Sequence, residues 1–268
     1  NDCRQKMSAK SSTGMRVKLC SCCGIEEHPE LTDQSPPSPS AMGQMREELG
    51  PLWRIAWPLL IAQTAQIGTG VVDTLMAGNY GDTDLAAIAI GFNIWLPLYL
   101  IILGTLFACS AIVAQDFGAG RFERVRSFLP QGLWVAVVLS AMMTPLCLHS
   151  GAIIELLELP SDTTAKTAAY VSRVGLGFPA LGIFMALRYH TQGLGVTAPF
   201  AIASVVGFVA NVPLNYMLIF GAWGAPELGA EGCGLATAAS MWLSTLIILL
   251  YVLLSLIHIS EPTRLHCI

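Results

Sequence analysis

Between Ile55 and Gly81 the chain carries one ionised side chain, Asp73, in a run that is otherwise without charge. This is the first of six apolar segments, near 52–76, 86–113, 128–148, 170–189, 198–220 and 232–256, each about the 20 residues that a helix needs to cross a bilayer at 1.5 Å per residue. A helical bundle in water would show polar faces at helical spacing, and 246–254 shows almost none. With 54% hydrophobic and 12% charged residues, the composition leads to the same class, an all-α integral membrane protein.

The net charge of −4 arises mostly outside these segments and supplies no basic patch, so nucleic-acid binding is set aside. Of the eight cysteines, Cys109, Cys147 and Cys233 lie in or beside apolar stretches, where a thiol behaves as a small buried hydrophobe, and no disulfide framework is implied. Cys20, Cys22, Cys23 and His28 match no standard zinc spacing. Residues 1–45 have no apolar run and end in the Ser/Pro-rich Ser35 to Ser40, so they are expected to form a disordered tail, with Met42 or Met45 as the natural start. They also lack the apolar region of a cleavable signal peptide, which leaves the first span as the expected insertion signal.

Orientation follows from the loops. Arg46, Arg54, Arg121, Arg124, Arg126 and Arg188 fall on one side, and the other has Lys166 and Arg173 among Asp82, Asp84, Glu155, Glu158, Asp162, Glu227 and Glu231. The positive-inside rule then makes the amino terminus cytoplasmic, and an even number of spans returns the end of the sixth helix to the same side. Five spans contain a proline, namely Pro58, Pro97, Pro145, Pro179 and Pro213. Each is read as ordinary transmembrane composition, with hinges for a moving bundle as the alternative.

A carboxylate near the bilayer centre costs about 2.5 to 3.5 kcal/mol on insertion scales, so it faces a bundle interior or a wet cavity and has a partner. Helix rise places Asp73 roughly 27 Å up the first span and Asn211 and Asn215 roughly 21 and 27 Å up the fifth. Thr237 comes out roughly 7 to 8 Å below the outer surface on the sixth, which runs inward. Four polar residues from three helices thus share a layer, and the two asparagines, four apart, share one helix face. Pro213 between them blocks one backbone bond.

A carboxylate, two amide oxygens and a hydroxyl are hard oxygen donors, suited to Na⁺ and unsuited to soft transition metals. The same carboxylate can take H⁺ instead, because burial favours the neutral acid while approaching donors favour the anion, and a conformational change could switch between them. The alternative is that Asn211, Asn215 and Thr237 only hold helices together, at about 0.6 kcal/mol per bond. A charge in the same layer favours the ion or proton site, since such bonding does not require one.

No other constellation competes. Gly118-Ala119-Gly120-Arg121 lacks the following Gly-Lys-Ser/Thr of a phosphate loop. His149 and His190 fall at opposite faces, no serine stands in a Gly-x-Ser-x-Gly context, and no enzyme is expected. Met142, Met143, Met185 and Met217 are read as packing, although methionine-rich surface also suits a promiscuous cavity.

Four strings together resemble the multidrug and toxic compound extrusion (MATE) family in its bacterial branch: Val71-Val72-Asp73-Thr74-Leu75-Met76-Ala77-Gly78, Ala114-Gln115 with Gly118-Ala119-Gly120-Arg121, Asn211-Val212-Pro213-Leu214-Asn215-Tyr216, and Gly232-Cys233-Gly234-Leu235-Ala236-Thr237-Ala238. The likeness runs from about Arg46 to Leu254. It implies a plasma (inner) membrane antiporter that expels small organic, often cationic, compounds in exchange for Na⁺ or H⁺, with no other cofactor, from twelve helices in two six-helix lobes. It also implies that Asp73, Asn211, Asn215 and Thr237 form the cation or proton site of the amino-terminal lobe. Some relatives have an aspartate where Asn215 stands, so the choice of ion stays open.

The resemblance covers the first lobe only, residues 46–254, so the carboxy-terminal lobe is expected as a missing partner. Residues 255–268, from Ser255-Leu256-Ile257-His258 onward, resemble a translated sequencing adaptor and are expected to be non-native. A lone lobe should not transport unless it pairs, because alternating access moves one bundle against another. Two alternatives are a lipid-linked oligosaccharide flippase of the same superfamily, which needs a strongly cationic cavity, and a non-transporting six-helix membrane fragment, against which Asp73 argues.

Overall fold

The computed structural model of the chain describes residues 41–259. The readings made for residues 1–40, including Cys20, Cys22, Cys23 and His28, and for 260–268 lie outside the described residues. Eight α-helices follow in order: α1 (Ala41–Tyr80), α2 (Asp82–Gly118), α3 (Phe122–Leu148), the short α4 (Gly151–Glu155), α5 (Ser161–Gly175), α6 (Phe178–Gly193), α7 (Ala198–Phe220) and α8 (Ala230–Ile259). A 3-10 turn, Ala222–Gly224, precedes α8.

Among the described residues, five helices are long and apolar enough to cross a membrane, with spans Leu52–Tyr80, Asp82–Gly118, Phe122–Leu148, Ala198–Phe220 and Ala230–Leu254. Taken as one broken span, α5 and α6, a pair bent by 44°, make a sixth. The apolar segment expected at 170–189 as one helix is therefore two. The break has a local cause: Gly175 and Gly177 favour no helix, and Pro179, in the first turn of α6, has no N–H to offer the preceding turn. Pro58, Pro97, Pro145 and Pro213 lie inside continuous helices, in line with their reading as ordinary transmembrane composition, and of the five prolines only Pro179 marks a break.

Side chains of neighbouring helices donate to carbonyls beside the break and so help hold the bend in lipid. Trp242 Nε1 of α8 donates to Leu176 O at 3.2 Å, and Thr245 Oγ1 donates to Ala180 O at 2.8 Å. From α3, Ser140 Oγ donates to Phe178 O at 3.1 Å. The bend is thereby held from two sides.

The core of the bundle is α6, buried around nearly its whole circumference from Phe178 through Tyr189. A helix apolar all round belongs at the centre, and α2, α3 and α8 pack on it, with Phe178, Phe200, Ile102, Leu106, Met185 and Leu187 almost fully buried. α7 lies along α8, and their approach depends on Gly232, where a Cβ would come within 2.3 Å of the Leu218 carbonyl oxygen.

α1 is the exception. Over its membrane segment only Ala62, Ala65, Asp73 and Ala77 are buried, a single stripe at helical spacing, while Ile67, Val71 and Leu75 are exposed. Asp73 thus sits on the one face that α1 turns to the bundle. Near the other end of α1, Thr197 Oγ1, in the turn before α7, donates to Ile55 O at 3.2 Å.

Candidate cation or proton site

Asp73, Asn211, Asn215 and Thr237 meet. Asn215 Nδ2 donates to Asp73 Oδ1, and also to Asn211 Oδ1 at 2.9 Å. Thr237 Oγ1 donates to Asp73 Oδ2 at 3.0 Å. The residues come from α1, α7 and α8, and the two asparagines face the same way because four residues make about one helical turn.

Every group here is removed from solvent: Asn211 and Asn215 completely, Asp73 and Thr237 to within 6% and 9% of exposure. The donors that reach the carboxylate are a neutral amide and a neutral hydroxyl, and among the described residues no Lys, Arg or His forms an ion pair with Asp73. Two polar atoms of the cluster have no partner, Asn211 Nδ2 and Asn215 Oδ1. Buried polar atoms without partners are uncommon and costly. Asn215 Oδ1 is a buried acceptor beside a carboxylate that receives only neutral donors.

Asp73 and Thr237 form part of the wall of a cavity of about 850 Å³ between α1 and the rest of the bundle. Asn211 and Asn215 lie behind them. The wall is mostly apolar, with the rings of Phe92, Trp95, Tyr99, Tyr170, Phe184 and Phe208, carries neutral polar groups such as Gln63, Gln66 and Asn93, and includes no Lys, Arg or His. Asp73 is its one acidic residue. The donor set suits a hard monovalent cation or a proton, and among the described residues no cluster of His, Cys, Asp and Glu fit to hold a transition metal is found.

The sequence did not reveal three features nearby. Trp95 stacks on Tyr99 at 4.9 Å between ring centres, and its indole N–H is buried without a partner. Arg188, expected among the charges of the cytoplasmic side, is 6% exposed inside α6. Its guanidinium lies 3.9 Å from the centre of the Phe200 ring and donates from Nη2 to Gln63 Oε1 on α1 at 3.3 Å. Asp84, counted among the outer loop acids, is 4% exposed and paired with Lys166 at 2.9 Å. A charge within about a turn and a half of a helix end looks the same in sequence whether it faces water or a neighbour; only the packing distinguishes them.

The MatE family profile matches residues 58–217. Multidrug resistance protein NorM of Vibrio parahaemolyticus is 37% identical over 214 residues, which are 80% of this chain and 47% of that protein. Multidrug resistance protein PmpM of Pseudomonas aeruginosa is 38% identical over 220 residues, 81% of this chain and 46% of that protein. The chain thus spans about half the length of these relatives. Among solved structures, the eukaryotic MATE transporter AtDTX14 superposes with a TM-score of 0.71 at 19% identity, over 78% of this chain and 46% of that one. A MOP superfamily transporter from Pyrococcus furiosus gives 0.70 at 18% identity, over 76% and 45%. These structures share the fold, a little under half of each matching about three-quarters of this chain. The chain is a multi-pass membrane protein and belongs to the MatE family, the multidrug and toxic compound extrusion proteins.

Proposed function

We propose that this bundle is the amino-terminal lobe of a multidrug efflux antiporter of the plasma (inner) membrane, which exports small organic, often cationic, compounds in exchange for Na⁺ or H⁺ bound at Asp73, Asn211, Asn215 and Thr237. The observation that carries this reading is a carboxylate without a counter-charge, held by neutral donors, in the wall of an aromatic cavity free of basic residues. An aromatic wall attracts flat cations through ring quadrupoles, and the single carboxylate adds to it. The NorM and PmpM relatives are multidrug resistance proteins, which agrees with this choice of substrate class.

Coupling follows from competition for one charge. When Asp73 holds a cation or proton its charge is cancelled and an organic cation in the cavity loses an attractor; when the ion leaves, the attractor returns. Ligands that bind the same charge exclusively exchange rather than accumulate, which is antiport once a second lobe lets the cavity open alternately to either side. A carrier of lipid-linked pyrophosphates would instead require a cationic cavity, and Arg188, the one arginine buried near it, is absent from the wall.

The test is export of a fluorescent organic cation by the full-length protein in cells deprived of their own efflux pumps, with outside Na⁺ and pH varied. The expected result is export that depends on one of the two ions and disappears in Asp73→Asn at equal expression. If the variant exports as the parent does, with the same ion dependence, the reading is wrong.

A further inference from the structure

Asp84 is the third residue of α2 and is nearly inaccessible. Lys166 Nζ of α5 donates to its Oδ2 at 2.9 Å, and the backbone N–H of Ala230, the first residue of α8, donates to its Oδ1 at 2.8 Å. One carboxylate therefore joins three helices at the outer end of the bundle. The first N–H groups of a helix have no partner within it, and a carboxylate there satisfies one of them and faces the positive end of the helix dipole. Asp84 caps α8 from another helix.

The space for this cap is built. Gly229 has φ of +55°, and a Cβ there would lie 2.5 Å from Asp84 Oδ1 and 2.8 Å from the Tyr80 ring. The start of α8 is fixed at two further points: Arg173 Nε donates to Glu231 Oε1 at 2.7 Å, and Gly234, in the second turn, abuts the Tyr170 carbonyl, which a Cβ would approach to 2.7 Å. Thr237 lies on the same continuous helix about 10 Å further along. Its 3.0 Å bond to Asp73 tolerates only a few tenths of an ångström of displacement before it weakens.

We propose that Asp84 is a positioning residue for the site at Asp73: it does not touch the coupling ion, and it sets, through the first turn of α8, where the Thr237 hydroxyl stands relative to the Asp73 carboxylate. The assignment rests on the reading of Asp73 given above. Lys166 supplies the fixed counter-charge that lets Asp84 be buried while it does so.

The test measures, in the full-length protein at matched membrane levels, the Na⁺ or H⁺ concentration that gives half-maximal efflux. Asp84→Ala is expected to raise it by about five- to tenfold, and so is Thr237→Ala, while the double variant goes no further than either alone. Asp84→Asn, whose amide oxygen can still accept from Ala230, should shift it by only about twofold. Shifts that add in the double variant, or no shift in Asp84→Ala, would overturn the assignment. Should Asp84→Ala fail to reach the membrane, Asp84→Asn carries the same cycle, and a shift that persists in the Thr237→Ala background, or is absent altogether, overturns it equally. Asp73→Asn run beside them separates the two readings. If it abolishes the ion dependence while the Asp84 cycle is additive, the positioning role alone fails; if it leaves the ion dependence intact, the site itself has been misread.

Discussion

Asp73 and Asp84 are carboxylates on consecutive helices with nearly equal burial, 6% and 4% exposed, and opposite arrangements of charge. Asp84 keeps its cation inside the protein, with Lys166 Nζ at 2.9 Å and a backbone N–H on the other oxygen. Asp73 receives only neutral donors, from Asn215 and Thr237. Burial of a charge is expensive in both places, so both need compensation. A permanent counter-charge makes Asp84 a strut between helices, whereas Asp73 has no such fixed partner, which is the arrangement the proposed ion site requires. Burial alone would have ranked the two as equal candidates for the ion site; the partners distinguish them.

The largest expected effect breaks or sharpens this contrast directly. A ligand that binds only the folded state stabilises it, by about 2.7 kcal/mol at a hundred times its Kd. The thermal midpoint of the purified protein in detergent should therefore rise with Na⁺ over a choline control, or with acidification, according to which ion it uses. Asp73→Asn should abolish the rise, and Asp84→Asn should retain it. A rise retained by Asp73→Asn and lost in Asp84→Asn would reverse the assignment of the two carboxylates.

The next effect concerns the strut. Lys166→Met leaves Asp84 buried without its cation, and breaking a fully buried pair costs about 3 to 5 kcal/mol. Lys166 is itself about one-third exposed, with 35% of its side chain accessible, so water screens part of the charge. The expected loss is about 1 to 3 kcal/mol by denaturant or thermal unfolding in detergent. Adding Asp84→Asn should recover most of it, because the isosteric amide keeps a bond to Ala230 and needs no cation. If Lys166→Met unfolds like the parent, Asp84 does not depend on a fixed counter-charge and the contrast with Asp73 loses its basis.

The two carboxylates also differ in how far the sequence exposes them. Helix rise fixes depth, and a spacing of four fixes a face, so Asp73, Asn211, Asn215 and Thr237 could be placed in one layer from residue numbers; the structure brings all four within hydrogen-bonding reach. Asp84 and Lys166 lie near helix ends, where residue number says little about burial, and their pairing spans 82 positions of sequence. Arg188 escaped for a similar reason, since nothing local shows that the face it shares is covered by α1 and Phe200. The break between α5 and α6 was hidden because hydropathy measures what a segment is made of and is insensitive to the direction of its axis. Gly175, Gly177 and Pro179 were visible, but whether such residues bend a span depends on donors such as Trp242 and Thr245 arriving from a helix far along the chain.

The smallest effect tests whether the neutral donors at Asp73 are bonding to a charge. Valine matches threonine in shape, so Thr237→Val removes the hydroxyl and little else. Hydrogen bonds between membrane helices average about 0.6 kcal/mol and reach about 1.7, and one that serves an uncompensated carboxylate belongs at the upper end. Thr237→Val should therefore cost about 1 to 1.5 kcal/mol by unfolding in detergent without Na⁺ at neutral pH. In the Asp73→Asn background the partner is a neutral amide, and the same substitution should cost less than half as much. Equal costs in the two backgrounds would mean that Asp73 is already neutral in the resting protein, and the bond from Thr237 would then be ordinary packing of helices. Unequal costs would mean that the charge is present before the ion arrives, which is the condition the contrast with Asp84 requires.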